Sequence, residues 1–443
     1  MRAIVIYSVL SAMLMAQAFA DSLDPALPEP FTLEDAVNLS LTGHPAIRRA
    51  HAEQSLAEAE KHQARSAMGF TATASAHARY IEPNPVAADQ SNDDSRLTLS
   101  LRKRLYDFGR SKYALKAADA EIHARRAGIR HAEVEQLLEL IARYFQVVEA
   151  DLAFDVANES MSIAFIRWDR LQDRQALGQV SDIAVEEADA EFNRRRVRVR
   201  EAETRRRSAR ALLANAYNRP DALPSTVEPP QLNVRNRALD DFDPLLAKAV
   251  RINPELMALR GRLEAAEYRL RSAEAGANPI LGARFDTGLW NRDLGGRDAW
   301  GAELVLEVPL FTGGVTKARA GKRRAELYKL RADLDEATLR IRQRLLEAWL
   351  AVDVNRARVQ ETQIALDYRD LYLDRSRALY ELEARADLGD AMSQWSDAQL
   401  EQARALHDLA MAFARLDALT GEPVVERLRG IGIRKRPPAV PAE

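Results

Sequence analysis

The stretch WGAELVLEV, residues 300–308, decides the fold class because its side chains alternate in character along the chain. One set of alternate positions is apolar: Trp300, Ala302, Leu304, Leu306 and Val308. The intervening set is largely polar or small: Gly301, Glu303, Val305 and Glu307. Alternation of this kind is typical of a β-strand with one apolar and one polar face.

Three further segments alternate in the same way, so the sequence predicts two pairs of strands. The predicted pairs are 70–80 with 96–103, and 281–289 with 300–309. Each strand has roughly the nine to eleven residues that a tilted strand needs to cross a bilayer. The segments between paired strands, 83–95 and 291–298, are polar and rich in turn formers, and are predicted to be exposed loops.

The alternating pattern also fits a small soluble β-subdomain whose apolar face packs on helices. Two observations favour the membrane interpretation. Charged side chains such as Arg284 and Glu303 need a wet face on the strands. Aromatic residues also cluster near the strand ends, as they do where membrane strands reach the bilayer surface. Aromatic residues are also found at the edges of the cores of soluble proteins.

The chain contains two long blocks without proline, which extend beyond the two strand pairs and predict long helices. No proline occurs between Pro85 and Pro220, or between Pro309 and Pro423. A proline inside a helix costs about 3 kcal/mol, so such blocks are where long helices can form. In the second block a heptad series recurs: Leu345, Val352, Val359, Leu366, Leu373 and Tyr380. A seven-residue repeat predicts a left-handed coiled-coil seam.

The chain contains an internal repeat of about 200 residues. The segment RLYDFG, residues 104–109, aligns with PLFTGG, residues 309–314. We therefore divide the chain into repeat 1, a linker and repeat 2, each repeat having a helix, a strand pair and a long helical hairpin. The predicted divisions are a signal peptide at 1–20, repeat 1 at 21–218, the linker at 219–244, repeat 2 at 245–423, and a disordered basic tail at 424–443.

The N-terminus has the order of a secretory signal peptide. Arg2 precedes the short apolar stretch 4–15, and Ala18-Phe19-Ala20 offers a cleavage site. The alternative is a buried first helix or a membrane anchor. No later stretch reaches the roughly 18 apolar residues of a transmembrane helix.

The composition excludes several classes of function. The chain has no cysteine, so it has no thiol nucleophile and no thiolate metal site. With 64 basic and 66 acidic residues, the net charge of −2 does not predict nucleic acid as a partner. The seven histidines show no metal-ligand spacing and there is no P-loop. We expect no enzyme activity, no cofactor and no metal.

Four strands predict an oligomer if the strands lie in a membrane. Only helices or closed barrels can span lipid, because an open sheet edge leaves backbone polar groups unpaired. Four strands cannot close a barrel, since known barrels begin at about eight. Two copies would give an eight-stranded barrel, whose interior is filled by side chains. A duct therefore favours three or more copies.

The chain resembles the TolC-like outer-membrane factor family across about residues 31–423. The resemblance rests on the order and spacing of several segments: FTLEDAVNLSLTGHPAI (31–47), RLYDFGRSKYAL (104–115), LGQVSDIAVEEA (177–188), NPELMALRGRLEAAE (253–267), VPLFTGGVTKA (308–318) and LTGEP (419–423).

This resemblance implies a mainly α fold with a membrane β-barrel. Three protomers would share a twelve-stranded barrel in the outer membrane of a Gram-negative bacterium, with coiled-coil helical hairpins in the periplasm. The implied function is a passive exit duct of a tripartite efflux or type I secretion system. The implied partners are a periplasmic adaptor and an inner-membrane pump of the RND or ABC type.

The resemblance also places candidate residues at the two hairpin tips. Gly178, Gln179, Val180 and Ser181 are candidates for adaptor contact at the first tip. At the second tip, Asp387 and Asp390, three apart on one predicted helical face, are candidates for an acidic ring. Tyr380 and Arg385 are candidates for links between hairpins. Glu383 stands where the family's turn glycine is expected, and solvated charges at helix ends are an equal alternative for this tip.

The alternative function is a periplasmic coiled-coil adaptor of an export system. Such adaptors also contain long helical hairpins, but usually one hairpin beside a β-domain rich in glycine and valine. The duplicated order of helix, strand pair and helix in this chain favours the channel.

Overall fold

The computed structural model describes residues 27–41, 43–230, 232, 234–292, 298–382, 387–424 and 427. Its helices are α1 Leu33–Leu41, α2 Pro45–Ser66, α3 Arg110–Ala176, α4 Asp182–Ala216, α5 Phe242–Ile252, α6 Pro254–Glu274, α7 Val315–Glu381 and α8 Leu388–Leu419. Its strands are β1 Phe70–His77, β2 Arg96–Tyr106, β3 Ile280–Trp290 and β4 Trp300–Glu307. The predicted signal peptide and nearly all of the predicted tail lie outside the described residues.

The four strands form one antiparallel sheet in the order β1-β2-β3-β4. Directly paired residues share a face of a sheet, so the register shows whether the four alternations agree. They do, because Ala72 pairs with Leu101, Leu101 with Phe285, and Phe285 with Ala302. The sheet therefore has one apolar face and one polar face, as the sequence predicted.

The helices α3 and α7 each contain 67 residues, which corresponds to about 100 Å at 1.5 Å per residue. Each begins directly after a glycine with positive φ, Gly109 at 104° and Gly314 at 83°. This left-handed conformation costs glycine little, and it allows the chain to turn sharply from strand into helix. The strand pairs are thus joined to the long helices by short turns at one end of the sheet.

Four of the six residues of the predicted heptad series form a buried seam, whereas Leu366 is half-buried and Tyr380 is exposed. Leu345, Val352, Val359 and Leu373 are all buried on α7. The first proline-free block likewise contains the long helix α3. The predicted class of fold, mainly helical with four strands, is confirmed.

The long helices lie side by side in a layer four helices wide. On the side of the hairpin tips, α3 packs on α4 and α8, and α8 packs on α7. Nearer the sheet, α3 packs on α2 and α6, and α6 packs on α7. The α3–α6 approach is close, since a Cβ at Gly261 would lie 2.8 Å from the Cβ of Ala124.

A hydrophobic core surrounds the middle of this layer, where the segment after α4 folds back. The Tyr144 hydroxyl donates to the carbonyls of Phe31 and Glu228, at 3.0 and 2.6 Å. Tyr144 is fully buried, and burial raises the pKa of its hydroxyl far above the usual value. Arg237 and Asp417 add a bidentate ion pair that fastens this segment to α8.

Several boundaries differ from the predicted ones by a few residues. β1 ends at His77 rather than Tyr80, which instead makes an isolated bridge to Asp93. β2 continues to Tyr106 through a register shift. α5 begins at Phe242, inside the predicted linker. Among the helices of the described residues, none combines the length and the apolar character of a membrane span.

Candidate functional site

The first hairpin tip is a tight turn between α3 and α4. The amide of Gly178 donates to Gln175 O at 2.8 Å, and the amide of Gln179 donates to Arg174 O at 2.9 Å. Gly178 has a φ of 68°, the left-handed conformation that commonly ends a helix. Ser181 then caps α4 by accepting from the amide of Ala184. The four candidate residues of this tip therefore form the turn itself.

The tip also exposes apolar side chains. Leu177 and Ile183 flank the turn and are 71% and 79% exposed. Exposed large apolar residues beside a polar turn are a feature of surfaces that bind other proteins. The backbone of this tip is fixed by its own hydrogen bonds, so the surface is formed before any partner arrives.

The second tip is described only in part, because Arg385 and Glu383 lie outside the described residues. Tyr380 lies in the last turn of α7 and is 54% exposed. Asp387 is the N-cap of α8, and its carboxylate accepts from the amide of Asp390 at 3.1 Å. Asp387 therefore lies just outside the helix as its N-cap, and Asp390 lies in the first turn.

The cap nevertheless keeps the two aspartates close together. Asp390 also accepts a hydrogen bond from Gln394, which in turn accepts from Arg369 of α7. Negative charge in the first turn of a helix is favourable because it complements the helix dipole. This local role explains both aspartates without a ring, and the acidic ring stays a prediction.

The two hairpins contact each other between α3 and α8, just behind the second tip. A Cβ built at Gly389 would lie 2.7 Å from Cγ2 of Ile163, closer than side-chain atoms normally approach. Ser396 of α8 donates to the carboxylate of Glu159 on α3. The Ile163 side chain of the first hairpin thus packs directly against Gly389 of the second hairpin.

A groove of about 330 Å³ lies among α3, α4 and α8 above this contact. Arg195 lies on its α4 side and donates to Ser160 of α3 at 2.8 Å. Asp397 of α8 faces the same groove. Desolvation raises the pKa of the Asp397 carboxyl, and Glu401 and Glu159 raise it further against the opposing effect of Arg195.

A buried histidine lies further along the same α3–α8 contact. Nδ1 of His407 is 2.9 Å from Oε1 of Glu149, and the His407 ring stacks on Phe145 at 4.3 Å. Burial also raises the pKa of the neighbouring Asp408, with Glu149 contributing and Arg358 opposing. Acidic groups are therefore packed along the whole contact between the hairpins.

The polar face of the sheet forms the other polar surface. Arg284 donates to Glu303 at 3.0 Å and lies 3.9 Å from Asp286. Asp286 accepts from Ser100 at 2.6 Å. These pairs run across β2, β3 and β4, so the charged groups on this face pair with one another across neighbouring strands. In the described part of the chain, no group of three or more His, Cys, Asp or Glu residues is arranged to hold a metal ion.

Comparison with known proteins gives the same fold and a family. Residues 245–422 match the sequence model of the family described as "Outer membrane efflux protein". The chain is 21% identical over 338 residues to the outer membrane efflux protein BepC of Brucella suis, covering 74% of this chain and 73% of BepC. It is 26% identical over 328 residues to the protein CyaE of Bordetella pertussis, covering 72% of this chain and 68% of CyaE.

The crystal structure of the Campylobacter jejuni CmeC outer membrane channel superposes with a TM-score of 0.73 at 15% identity, covering 90% of this chain and 88% of CmeC. Residues 245–422 therefore form an outer membrane efflux protein domain. The resemblance stated from the sequence is confirmed.

The structure brings together some of the predicted site residues and not others. Gly178 to Ser181 form one turn, and Asp387 lies beside Asp390. Tyr380 lies in the last turn of the neighbouring helix, and residues 383–386 lie outside the described part.

Sequence reasoning missed the contacts between the two hairpins. Gly389, Ile163, His407 and Glu149 are far apart in sequence, and no motif or heptad joins the partners. The one available signal was Gly389 itself, because a glycine inside the first turn of a helix costs stability unless a close approach requires it.

Proposed function

We propose that three copies of this chain assemble into an outer-membrane channel that serves an efflux or secretion system. The observation that supports it best is the arrangement of unpaired edges. β1 and β4 are the outer strands of the sheet, contain eight residues each, and run in opposite directions. β1 of one copy can therefore continue the antiparallel pattern with β4 of the next, which closes a barrel without a free edge.

The helical layer has matching edges. On the tip side its outer helices are α4 and α7, and each exposes a heptad series away from its own partner. On α4 the exposed series is Ile183, Ala190, Val197, Thr204 and Ala211. On α7 it is Leu350, Ala357, Ile364, Leu371 and Ala378.

A seven-residue repeat of small and apolar side chains is a seam for a second helix. Ile183 follows the first tip closely, and Ala378 precedes the second tip closely, so the two series lie at matching heights. The helices also run in opposite directions there. Both the sheet and the helical layer are thus complementary to another copy of the chain along the same two edges.

Three copies fit a duct better than two. Three copies give twelve strands, whereas an eight-stranded barrel is filled by its own side chains. The apolar face with Leu99 and Leu306 would contact lipid, and the polar face with Arg284 and Glu303 would line the lumen. The long helices would extend into the periplasm as a tunnel.

The hairpin tips would form the periplasmic mouth of this tunnel. We propose that Gly178 to Ser181 contact a periplasmic adaptor, which connects the channel to an inner-membrane pump of the RND or ABC type. Tyr380, Arg385, Asp387 and Asp390 are proposed to constrict the mouth. The energy for export would come from the pump, since this chain supplies only the path.

Fractionation and assembly test the proposal directly. The mature protein is expected in the outer membrane as a detergent-stable trimer. Ile364→Asp puts a charge in the α7 seam, where Ile364 is 62% exposed in the single chain, and is expected to dissociate the trimer. Ile166→Asp is the matched control, because Ile166 is 48% exposed on α3, a central helix of the layer. A soluble periplasmic monomer would overturn the proposal, as would an Ile364→Asp trimer as stable as the control.

Crosslinking tests the adaptor contact. The chain has no cysteine, so Gln179→Cys introduces one reactive thiol at the first tip. A thiol crosslinker is expected to capture a periplasmic adaptor at Gln179→Cys and not at Leu223→Cys, an exposed position away from the tips. Equal capture at both positions would remove the tip assignment and leave the channel standing.

A further inference from the structure

The apolar face of the sheet carries one charged side chain among the strand residues that the structure describes. Apart from Thr287, the rest of the face is built from small and apolar residues in register across the four strands. Lys103 of β2 lies on it, paired with Phe70 on one side and Ala283 on the other. Arg102, the preceding residue, lies on the polar face, opposite Arg284.

Lys103 lies near the end of the sheet that continues into the long helices. It is half-buried, and its Nζ lies 4.3 Å from the ring centroid of Phe70. Phe70 itself is 75% exposed. A charge on a lipid-facing surface costs about 2–4 kcal/mol at the bilayer midplane but only about 0–1 kcal/mol near the interface. The position of Lys103 at the strand end suits the interface.

A shallow groove of about 330 Å³ opens on the same face beside Lys103. Ala283 and Ala302 form its floor, and the larger Phe70, Phe285 and Leu304 stand around it. Each of the two alanines is paired directly with a larger apolar residue, Ala283 with Leu304 and Ala302 with Phe285. Because the lining is mainly apolar, the groove suits an acyl chain rather than a polar ligand.

We propose that this groove binds one anionic phospholipid per protomer, with its phosphate at the Lys103 ammonium and an acyl chain over Ala283 and Ala302. The inference rests on the proposed membrane location of the strands. Since the strands continue into the periplasmic helices at this end, the lipid belongs to the periplasmic leaflet. The phosphate supplies the counter-charge that the lipid face otherwise lacks.

The Phe70 ring and the lysine act together in this site. The ring holds the ammonium over its face, a favourable arrangement for a cation near an aromatic side chain. The ammonium carries three donors, so it can bind a phosphate oxygen while it remains over the ring. A free phosphate ion would gain only the single charge contact, whereas a phospholipid also buries its acyl chain.

Native mass spectrometry of the detergent-purified trimer, with palmitoyl-oleoyl-phosphatidylglycerol as the probe, tests the site. A single lysine near an anionic membrane surface changes affinity by a factor of about five. Lys103→Gln is therefore expected to weaken phosphatidylglycerol binding about fivefold and to leave phosphatidylcholine binding unchanged. Arg102→Gln is the matched control, since it removes a neighbouring charge from the opposite face and is expected to leave lipid binding unchanged.

A second variant tests the groove without changing the charge. Ala302→Leu fills the floor and is expected to reduce the number of retained phosphatidylglycerol molecules below the three per trimer of the unchanged protein. Glycerol phosphate is expected not to compete. Equal lipid binding by Lys103→Gln and Arg102→Gln would overturn the lipid site, as would competition by glycerol phosphate. Failure of the unchanged protein to reach the membrane as a trimer would instead refute the proposed function.

Discussion

Replacing Gly389 with alanine places a methyl group where α8 meets Ile163 of α3. The new Cβ would lie 2.7 Å from Cγ2 of Ile163, whereas carbon atoms in contact are normally about 3.5–4.0 Å apart. The two helices must therefore separate by about 1 Å, or Ile163 must leave its preferred rotamer. Overpacking of this size typically costs about 1–3 kcal/mol.

This cost acts on the contact between the hairpins rather than on helix formation. Alanine favours a helix over glycine by about 1 kcal/mol, but α8 is helical whether the hairpins are packed or apart. The gain therefore cancels from the equilibrium between the packed and the separated hairpins. A loss of about 1–3 kcal/mol shifts that equilibrium about 5- to 150-fold toward separation.

Single-channel recording in a planar bilayer measures this shift as time spent in states of higher conductance. Gly389→Ala is expected to increase that time, and Ile163→Ala added to it is expected to restore the original behaviour. Gly321→Ala on α7 is the control, because a Cβ there meets no other atom within 4 Å. An unchanged Gly389→Ala channel, or a double variant that behaves as the single one, would refute the proposed role of this contact.

The same pair allows the opposite perturbation. An ideal Cβ at Gly389 lies 3.6 Å from the Cβ of Ile163, within the range that a disulfide accepts. Because the chain has no cysteine of its own, Ile163→Cys with Gly389→Cys would form a defined crosslink. Oxidation is expected to hold conductance at its low level, and a reductant is expected to release it.

Three further predictions concern the sheet, the second tip and the α3–α8 contact. Leu99→Arg, well inside the sheet on its apolar face, is expected to impair membrane insertion by about 2–4 kcal/mol, while Thr98→Arg on the polar face inserts and changes only ion selectivity; equal insertion, measured by fractionation, would contradict the assigned faces. Asp387→Asn with Asp390→Asn is expected to lower cation preference and block by multivalent cations, and unchanged reversal potentials would remove the acidic ring. The pKa of Asp397 is raised in the packed state, so that state binds the carboxyl proton more tightly than the unfolded state does. The thermal unfolding midpoint should therefore rise as the pH falls toward the ordinary pKa of aspartate. Asp397→Asn should flatten this rise in the thermal unfolding midpoint, and an unchanged pH dependence would exclude Asp397 as its source.

The sheet was predictable because every strand carries its own signal. Alternation is a local property, and each of the four strands shows it within a dozen residues. The boundaries were less certain, since Tyr80 continues the alternation but pairs only with Asp93 across the loop. Tyr106 belongs to β2 through a register shift, and nothing in the composition of the strand predicted that shift. The presence of each strand could thus be predicted from its own sequence, whereas the residue at which a strand ends depends on its pairing with a neighbour.

The hairpin contacts were not predictable for a different reason. The buried heptad of α7 repeats within one helix. Leu345 and Val352 therefore predicted a coiled-coil seam before the helix that packs on it was known. The pairs Ile163–Gly389 and Glu149–His407 join helices from different repeats, and neither partner is part of a periodic pattern. Their meeting depends on how two long helices are set side by side, which only the fold determines.

The equal lengths of α3 and α7 have a consequence for how the gene can change. Both helices run for 67 residues from the same end of the sheet, so the two hairpins have long arms of equal length. The segments RLYDFG and PLFTGG share only two of six residues, whereas the helices that follow them have the same length. An insertion in one of these helices would lengthen one hairpin relative to the other. It would also shift every heptad contact between that helix and its neighbours. Tolerated insertions and deletions should therefore come in matched pairs, one in each half of the gene, even where the two halves no longer share a residue.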